Sequence, residues 1–199
     1  QSYFAAAHKC AVESMITAGD SKANFRDSLN SCRSKIKAEP ETDIRTYFAP
    51  VDGRAALAQV QKAGNSAADI SAMSHRLSGE MARTLQGFLT KGKPVRFILD
   101  DDIYWSRKLG EDVGRNMVFE AAKIYRDLIS KGMNTRFLET FHAGFQLQHN
   151  KFIVYNFGGS GAVFTGAGNF TSAAFNANFE NFYYIEIPEV VDAYKKQYD

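Results

Sequence analysis

Apolar residues in the first forty positions recur at helical spacing. Phe4, His8, Ala11 and Met15 share one face of a first helix, and Phe25, Leu29, Cys32 and Ile36 one face of a second. The two helices turn around Gly19-Asp20, and Pro40 in "AEPET" breaks the pattern. From Asp43 strands and helices alternate. "IRTYFAP" reads as a strand ended by Pro50, "GRAALAQVQKAG" as a helix closed by Gly64, and "ADISAMS" as the next strand. "LSGEMARTLQGFLTKG" puts Leu77, Met81, Leu85 and Phe88 on one helical face and stops at Gly92. "PVRFILD" is strand-like, "NMVFEAAKIYRDLISKG" is a helix ending at Gly132, and "TRFLET" is another strand. The last third is strand-rich ("HNKFIVY", "GAVFTG", "NFYYIEI"). Pro188 then opens a final helix with Val190, Tyr194 and Tyr198 on one side.

This order predicts an α/β fold: a mixed β-sheet sandwiched by helices on both faces, preceded by a small helical hairpin. Residues 1–42 are expected as a helical extension or linker, and residues 43–199 as one catalytic unit. There is no internal repeat and no low-complexity tract.

Composition narrows the classes. A chain of 199 residues, 45% hydrophobic and 23% charged, has room for one well-packed domain. No apolar run approaches the roughly 18 residues of a membrane span, so no transmembrane segment is expected. A net charge of +2 and a pI near 8.5 tolerate a phosphodiester substrate without demanding nucleic acid. The chain begins at Gln1 and ends at Asp199 within a helical pattern, which reads as a possible fragment of a longer protein. Cys10 and Cys32 lie at similar distances from the hairpin turn. They are either a disulfide across it or two buried thiols, and a disulfide would imply an oxidising compartment, secreted or periplasmic.

Chemistry concentrates in "QLQHNKFIVYNFGGSGAVFTGAGNFTSAAF". Residues two apart in a strand share a face, so His149 and Lys151 project together. An imidazole that attacks an anionic phosphorus needs a cation beside it, and Lys151 supplies one. Gly166 and Gly168 carry no side chain, which would let a substrate approach the backbone. Thr171 or Ser172 caps the short helix "SAAF", and Asn169 is placed at its entry to donate its amide to a phosphate oxygen. Glu180 opens the next strand, where a carboxylate would fix an imidazole tautomer.

"HNK" followed by "GAGNFTSAAFNANFEN" resembles the phospholipase D superfamily, whose pattern is H-x-K-x4-D, then G-S/G-x-N and an N-x-E segment. The resemblance covers about Ile44 to Tyr198, one repeat of that fold. Two positions depart from it: Asn156 stands where the family has Asp, and Ala167 where Ser is common. The resemblance implies that His149 attacks phosphorus and forms a phosphohistidine while Lys151 and Asn169 stabilise the developing charge. It also implies a second histidine as acid and base, and neither metal nor other cofactor. Family sites use two such motifs and this chain has one. The partner is therefore a second phospholipase D-like repeat, from a homodimer or a longer parent chain.

Other candidates read more plainly. His75 is expected as a polar loop residue near the site, His142 as a loop residue and His8 as a core histidine. The Asp100–Asp102 run reads as a cap or solvated loop rather than a magnesium site. Phe179, Phe182, Tyr183 and Tyr184 read as strand alternation rather than base stacking. The leading expectation is a phosphodiesterase, with a lean toward a phospholipid headgroup ester. An endonuclease with the same chemistry and a non-catalytic phosphate-binding or scaffold half are the alternatives.

Overall fold

Described here, from a computed structural model, are residues 2–100, 115–138 and 148–199, with 115–121 through their backbone alone. The expectations for Asp101, Asp102 and His142 fall outside these residues.

Two helices come first, α1 (Tyr3–Ala18) and α2 (Lys22–Arg33). Then follow β1 (Ile44–Ala49), α3 (Gly53–Ser66), β2 (Asp69–Ser74), α4 (Gly79–Thr90), β3 (Val95–Asp100), α5 (Arg115–Ser130) and β4 (Asn134–Leu138). The chain closes with β5 (Lys151–Asn156), β6 (Gly161–Gly166), α6 (Ser172–Asn176), β7 (Glu180–Ile185) and α7 (Pro188–Tyr198). The seven strands form one mixed sheet in the order β1-β7-β6-β5-β2-β3-β4. β2, β3 and β4 run parallel, and the remaining pairings are antiparallel.

Strand alternation splits the core between the two faces. Ile70, Ala72, Phe97, Leu99, Ile153, Tyr155, Phe164 and Phe182 point to the layer that holds the buried residues of α3, α4 and α6. Met73, Ile98, Phe152, Val154 and Val163 point the other way, onto Val191 and Tyr198 of α7. Central strands buried on both faces explain why "KFIVY" reads as a continuous apolar run.

The helical hairpin packs at the β1 edge. Ser2 and Ser21 cap its helices by accepting from Ala5 N and Asn24 N. Cys10 and Cys32 form a disulfide with their Cα atoms 5.6 Å apart, which resolves the open pairing. Arg33 grips Asp52 with two nitrogens, at 3.1 and 2.6 Å, and lies over the Phe48 ring. Phe25 meets Phe179 edge-on at 4.9 Å, and His8 meets Phe48 at 6.3 Å. One helix end differs from expectation. Gly64 does not close α3, which runs on to Ser66. A Cβ at Gly64 would lie 2.1 Å from the Phe88 ring, so this glycine is there to admit α4.

Candidate active site

The site gathers at one end of the central strands. β5 begins at Lys151, so His149 lies just before the strand and is exposed. Its segment is held by a contact that sequence does not show. Gln148 N donates to Asp100 Oδ2 at 2.6 Å, and Gln148 Oε1 accepts from Asn150 N at 2.6 Å. Asp100 is 1% exposed, so it is neither a solvated loop residue nor a free surface carboxylate. It anchors the approach to β5 from the end of β3.

Lys151 is 6% exposed, on the same sheet face as Ile153 and Tyr155. Its Nζ donates to the His149 carbonyl oxygen at 2.7 Å. Burial pushes the ammonium below the ordinary lysine range, and the Glu180 carboxylate opposes that push. Among the described residues neither ring nitrogen of His149 makes a hydrogen bond. Although the residue is exposed, partial desolvation of the ring holds this imidazole below the ordinary histidine value. The charges of Lys151 and His75 press the same way, while Asp100 opposes. The shift favours the neutral imidazole, the form in which a histidine can act as a nucleophile.

Asn169 lies in the loop after β6, whose Phe170 N donates to Arg76 O beside His75. Its Oδ1 is buried and has no hydrogen-bond partner among the described residues. Either amide atom can turn to that position, and the NH2 would donate to a phosphate oxygen. Aromatic packing sets the height of this loop. Phe164, Phe175 and Phe182 stack with centroids 4.6 to 6.4 Å apart, and Asn169 lies between Gly168 and the buried Phe170 above them.

The glycines have a different purpose from the expected one. A Cβ on Gly166 would come within 2.0 Å of Asn181 O, and one on Gly168 within 2.4 Å of the Phe182 ring. The space beside them is filled by β7, so they seat the loop rather than admit substrate. Thr171 Oγ1 caps α6 by accepting from Ala174 N at 3.3 Å. Ser172 Oγ instead accepts from Glu80 N at 3.4 Å. Both hydroxyls, expected as substrate-binding groups at this helix start, accept from backbone amides and keep their O–H donors. Among the described residues Glu180 makes no hydrogen bond to His149. It accepts from Asn178 Nδ2 at 3.2 Å, and its charge reaches Lys151. Ala167 is exposed, with its amide donating to Asn181.

Two residues stand apart from their expected parts. Asn156 lies at the far end of β5, about 16 Å from Lys151 at ~3.3 Å per residue. It donates to Asp69 Oδ2 at 2.7 Å and accepts from Gly158 N at 2.9 Å. His75, expected as a plain loop residue, has its ring centroid 5.5 Å from that of His149. Ser74 pairs with Lys151 across the sheet, which carries His75 to the site. Its place near the site was expected, and its contact with His149 comes from that pairing of distant segments. Among the described residues no group of three or more His, Cys, Asp or Glu could hold a metal ion.

Comparison with known proteins identifies the family and the fold. A family model described as "Cardiolipin synthase, PLD-like domain" matches residues 55–199, and the chain belongs to the phospholipase D-like superfamily. The fold is similar to that of Nuc from Salmonella typhimurium, a phospholipase D family member (TM-score 0.57, 22% identity, 78% of this chain and 90% of that one). It is also similar to NucT from Helicobacter pylori (TM-score 0.58, 20% identity, 78% and 92%). Phosphatidylserine synthase from Haemophilus influenzae Rd KW20 gives a TM-score of 0.54 at 13% identity, over 88% of this chain and 45% of that one. A search of curated proteins finds no match.

Proposed function

We propose that this chain is a metal-independent phosphodiesterase that acts through a covalent phosphohistidine at His149. The observation that carries the reading is the His149 imidazole, which makes no hydrogen bond among the described residues and feels the charge of the buried Lys151 ammonium. A ring nitrogen of His149 attacks phosphorus and the bond to the leaving oxygen breaks. Lys151 and Asn169 offset the charge on the equatorial oxygens. In-line displacement puts the leaving oxygen opposite His149, so its proton comes from across the phosphorus. A second phospholipase D-like repeat, from another copy of the chain or from a longer parent, supplies that histidine. Water then attacks phosphorus from the same side, the P–N bond breaks and His149 is released.

For the substrate, a cavity of about 210 Å³ supports a phospholipid headgroup ester. It lies between α1 and the start of β7, lined by Val12, Met15, Phe25, Phe48, Phe179 and Glu180 among others. None of its described lining residues is Lys or Arg, and Glu180 is its one acid. A polyanion finds no lysine or arginine there and only His8 as a basic group, whereas an acyl chain finds an apolar wall. The Cys10–Cys32 bridge supports an oxidising compartment, secreted or periplasmic.

Hydrolysis of bis(4-nitrophenyl) phosphate in excess EDTA tests the reading. The wild-type protein is expected to turn over and His149→Ala to lose at least a thousandfold. Equal rates in the two would remove His149 from the chemistry.

A further inference from the structure

We propose that a polar cavity on the α7 side of the sheet is a second binding site, for a small phosphate ester that also carries hydroxyl groups. It lies apart from the catalytic residues and does not depend on the reading given to them.

The cavity holds about 290 Å³. Asp69 and Ser71 of β2, Arg96 of β3, Asn156 of β5 and Lys195 and Tyr198 of α7 line it, with Asp199 beside them. Strand register fixes where it stands. Asp69 pairs with Asn156 and Ser74 with Lys151, so the cavity is at the end of β2 and β5 remote from His149. Val154, also in its wall, shares a sheet face with Phe152, whereas Lys151 shares the opposite face with Ile153. The sheet itself separates the two sites.

Arg96 is set as an anion receptor. Its guanidinium carbon lies 5.0 Å from the centroid of the Tyr198 ring, and its Nη2 donates to Ser71 Oγ at 2.7 Å. Stacking and a hydrogen bond together hold the planar fork in one orientation. Among the described residues Arg96 forms no ion pair, so no carboxylate answers its charge. Ser71 is 5% exposed and accepts from Arg96, which leaves its own O–H unspent among those residues. Asn156 gives one amide hydrogen to Asp69 Oδ2 at 2.7 Å and keeps the other. Lys195 has only Asp192, at 3.4 Å. Burial raises the Tyr198 hydroxyl, the charges of Arg96 and then Arg136 draw it down, and Asp199 raises it. The field of Arg136 on β4 therefore reaches this wall too.

The donor set decides the ligand class. A guanidinium, an ammonium, a hydroxyl and an amide line one cavity with protons to give, which complements a phosphoryl oxyanion. Asp69 and Asp199 stand in the same wall, and a bare anion would meet them as repulsion. Ligand hydroxyls turn the two carboxylates into acceptors. A phosphate ester with hydroxyls therefore uses the whole lining. The volume is at the lower end of the roughly 300–1,000 Å³ typical of ligand pockets, so the ligand is small.

Glycerol 3-phosphate carries both kinds of group and is the probe. Titration calorimetry on the 199-residue chain is expected to show saturable binding, with inorganic phosphate and glycerol each at least tenfold weaker. Arg96→Met should weaken binding about tenfold or more, the loss of one hydrogen-bonded charge. Lys195→Met, at a part-exposed position of α7, should weaken it severalfold and serves if the Arg96 variant does not fold. His149→Ala should bind as the wild type does. Binding confined to phosphatidylglycerol vesicles, and lost in Arg96→Met, would assign the same chemistry to a lipid headgroup. No saturable binding to either probe, or inorganic phosphate bound as tightly as the ester, would overturn the proposal. So would binding that survives Arg96→Met and Lys195→Met but is lost in His149→Ala, which would put the ligand in the catalytic site. Binding is read without turnover, so an inactive protein that holds the ester through Arg96 contradicts the phosphodiesterase reading alone.

Discussion

Asn156 Nδ2 donates to Asp69 Oδ2 at 2.7 Å, at the end of β5 remote from His149. The family's Asp position therefore holds β5 to β2 in this chain, and the amide is the partner that the Asp69 carboxylate requires. Restoring the family residue with Asn156→Asp would set two carboxylates face to face. Urea unfolding is expected to show a loss of roughly 1 kcal/mol, from one lost hydrogen bond and a like-charge pair. kcat should stay within about twofold, because the site is some 16 Å away along the strand. A gain in kcat with no change in stability would show that Asn156 limits catalysis.

A nucleophilic imidazole works when neutral, which fixes the sign of the pH dependence. Burial first, then the charges of Lys151 and His75, hold His149 below the ordinary 6.5. The acid limb of kcat/KM is therefore expected to have its midpoint below that value. Lys151→Met removes a repelling cation, so the midpoint should rise toward 6.5 while the rate drops by roughly a hundredfold or more. A midpoint above 6.5 in the wild-type protein would contradict the electrostatics.

Much of the architecture was legible in "KFIVY", "GAVFTG" and the helical stripes, because burial on one or both faces writes itself into period and run length. The proposed set His149, Lys151 and Asn169 could be picked out in sequence because all three lie within one short stretch of chain. What was not legible depends on distant segments meeting. Asp100 reaches Gln148, and His75 reaches His149, only because β5 inserts beside β2. Gly166 and Gly168 misled because a missing side chain looks the same whether substrate or a neighbouring strand occupies the space. Gly64 looked like a helix stop for the same reason, and Phe88 is what fills the gap.

The seating of the Asn169 loop on Phe182 can be probed without touching a polar group. Gly168→Ala would press a methyl group into that ring. It is expected to lower kcat at least tenfold through displacement of Asn169, and to cost about 1–3 kcal/mol in stability. Asn169→Ala should lose roughly 100- to 1000-fold in kcat with little change in the unfolding midpoint. Calorimetry beside kinetics separates the two. Full activity in Asn169→Ala would place charge stabilisation elsewhere.

The disulfide closes a loop across a separation of 22 residues, and its removal should cost about 3 kcal/mol. Cys10→Ser/Cys32→Ser is expected to loosen α1 and α2 while the sheet keeps its site. Hydrolysis of a soluble diester should then persist, and hydrolysis of phospholipid in mixed micelles should fall, because α1 forms a wall of the apolar cavity. Equal losses on both substrates would mean that the hairpin supports the site and not the acyl chain.

The covalent intermediate tests the central claim most directly. Protein quenched in mid-turnover with a phosphodiester and digested under mildly alkaline conditions should yield a His149 peptide heavier by the retained phosphoryl ester, absent from His149→Gln. A rapid-quench time course with no adduct on His149, at substrate concentrations that give steady turnover, would contradict it.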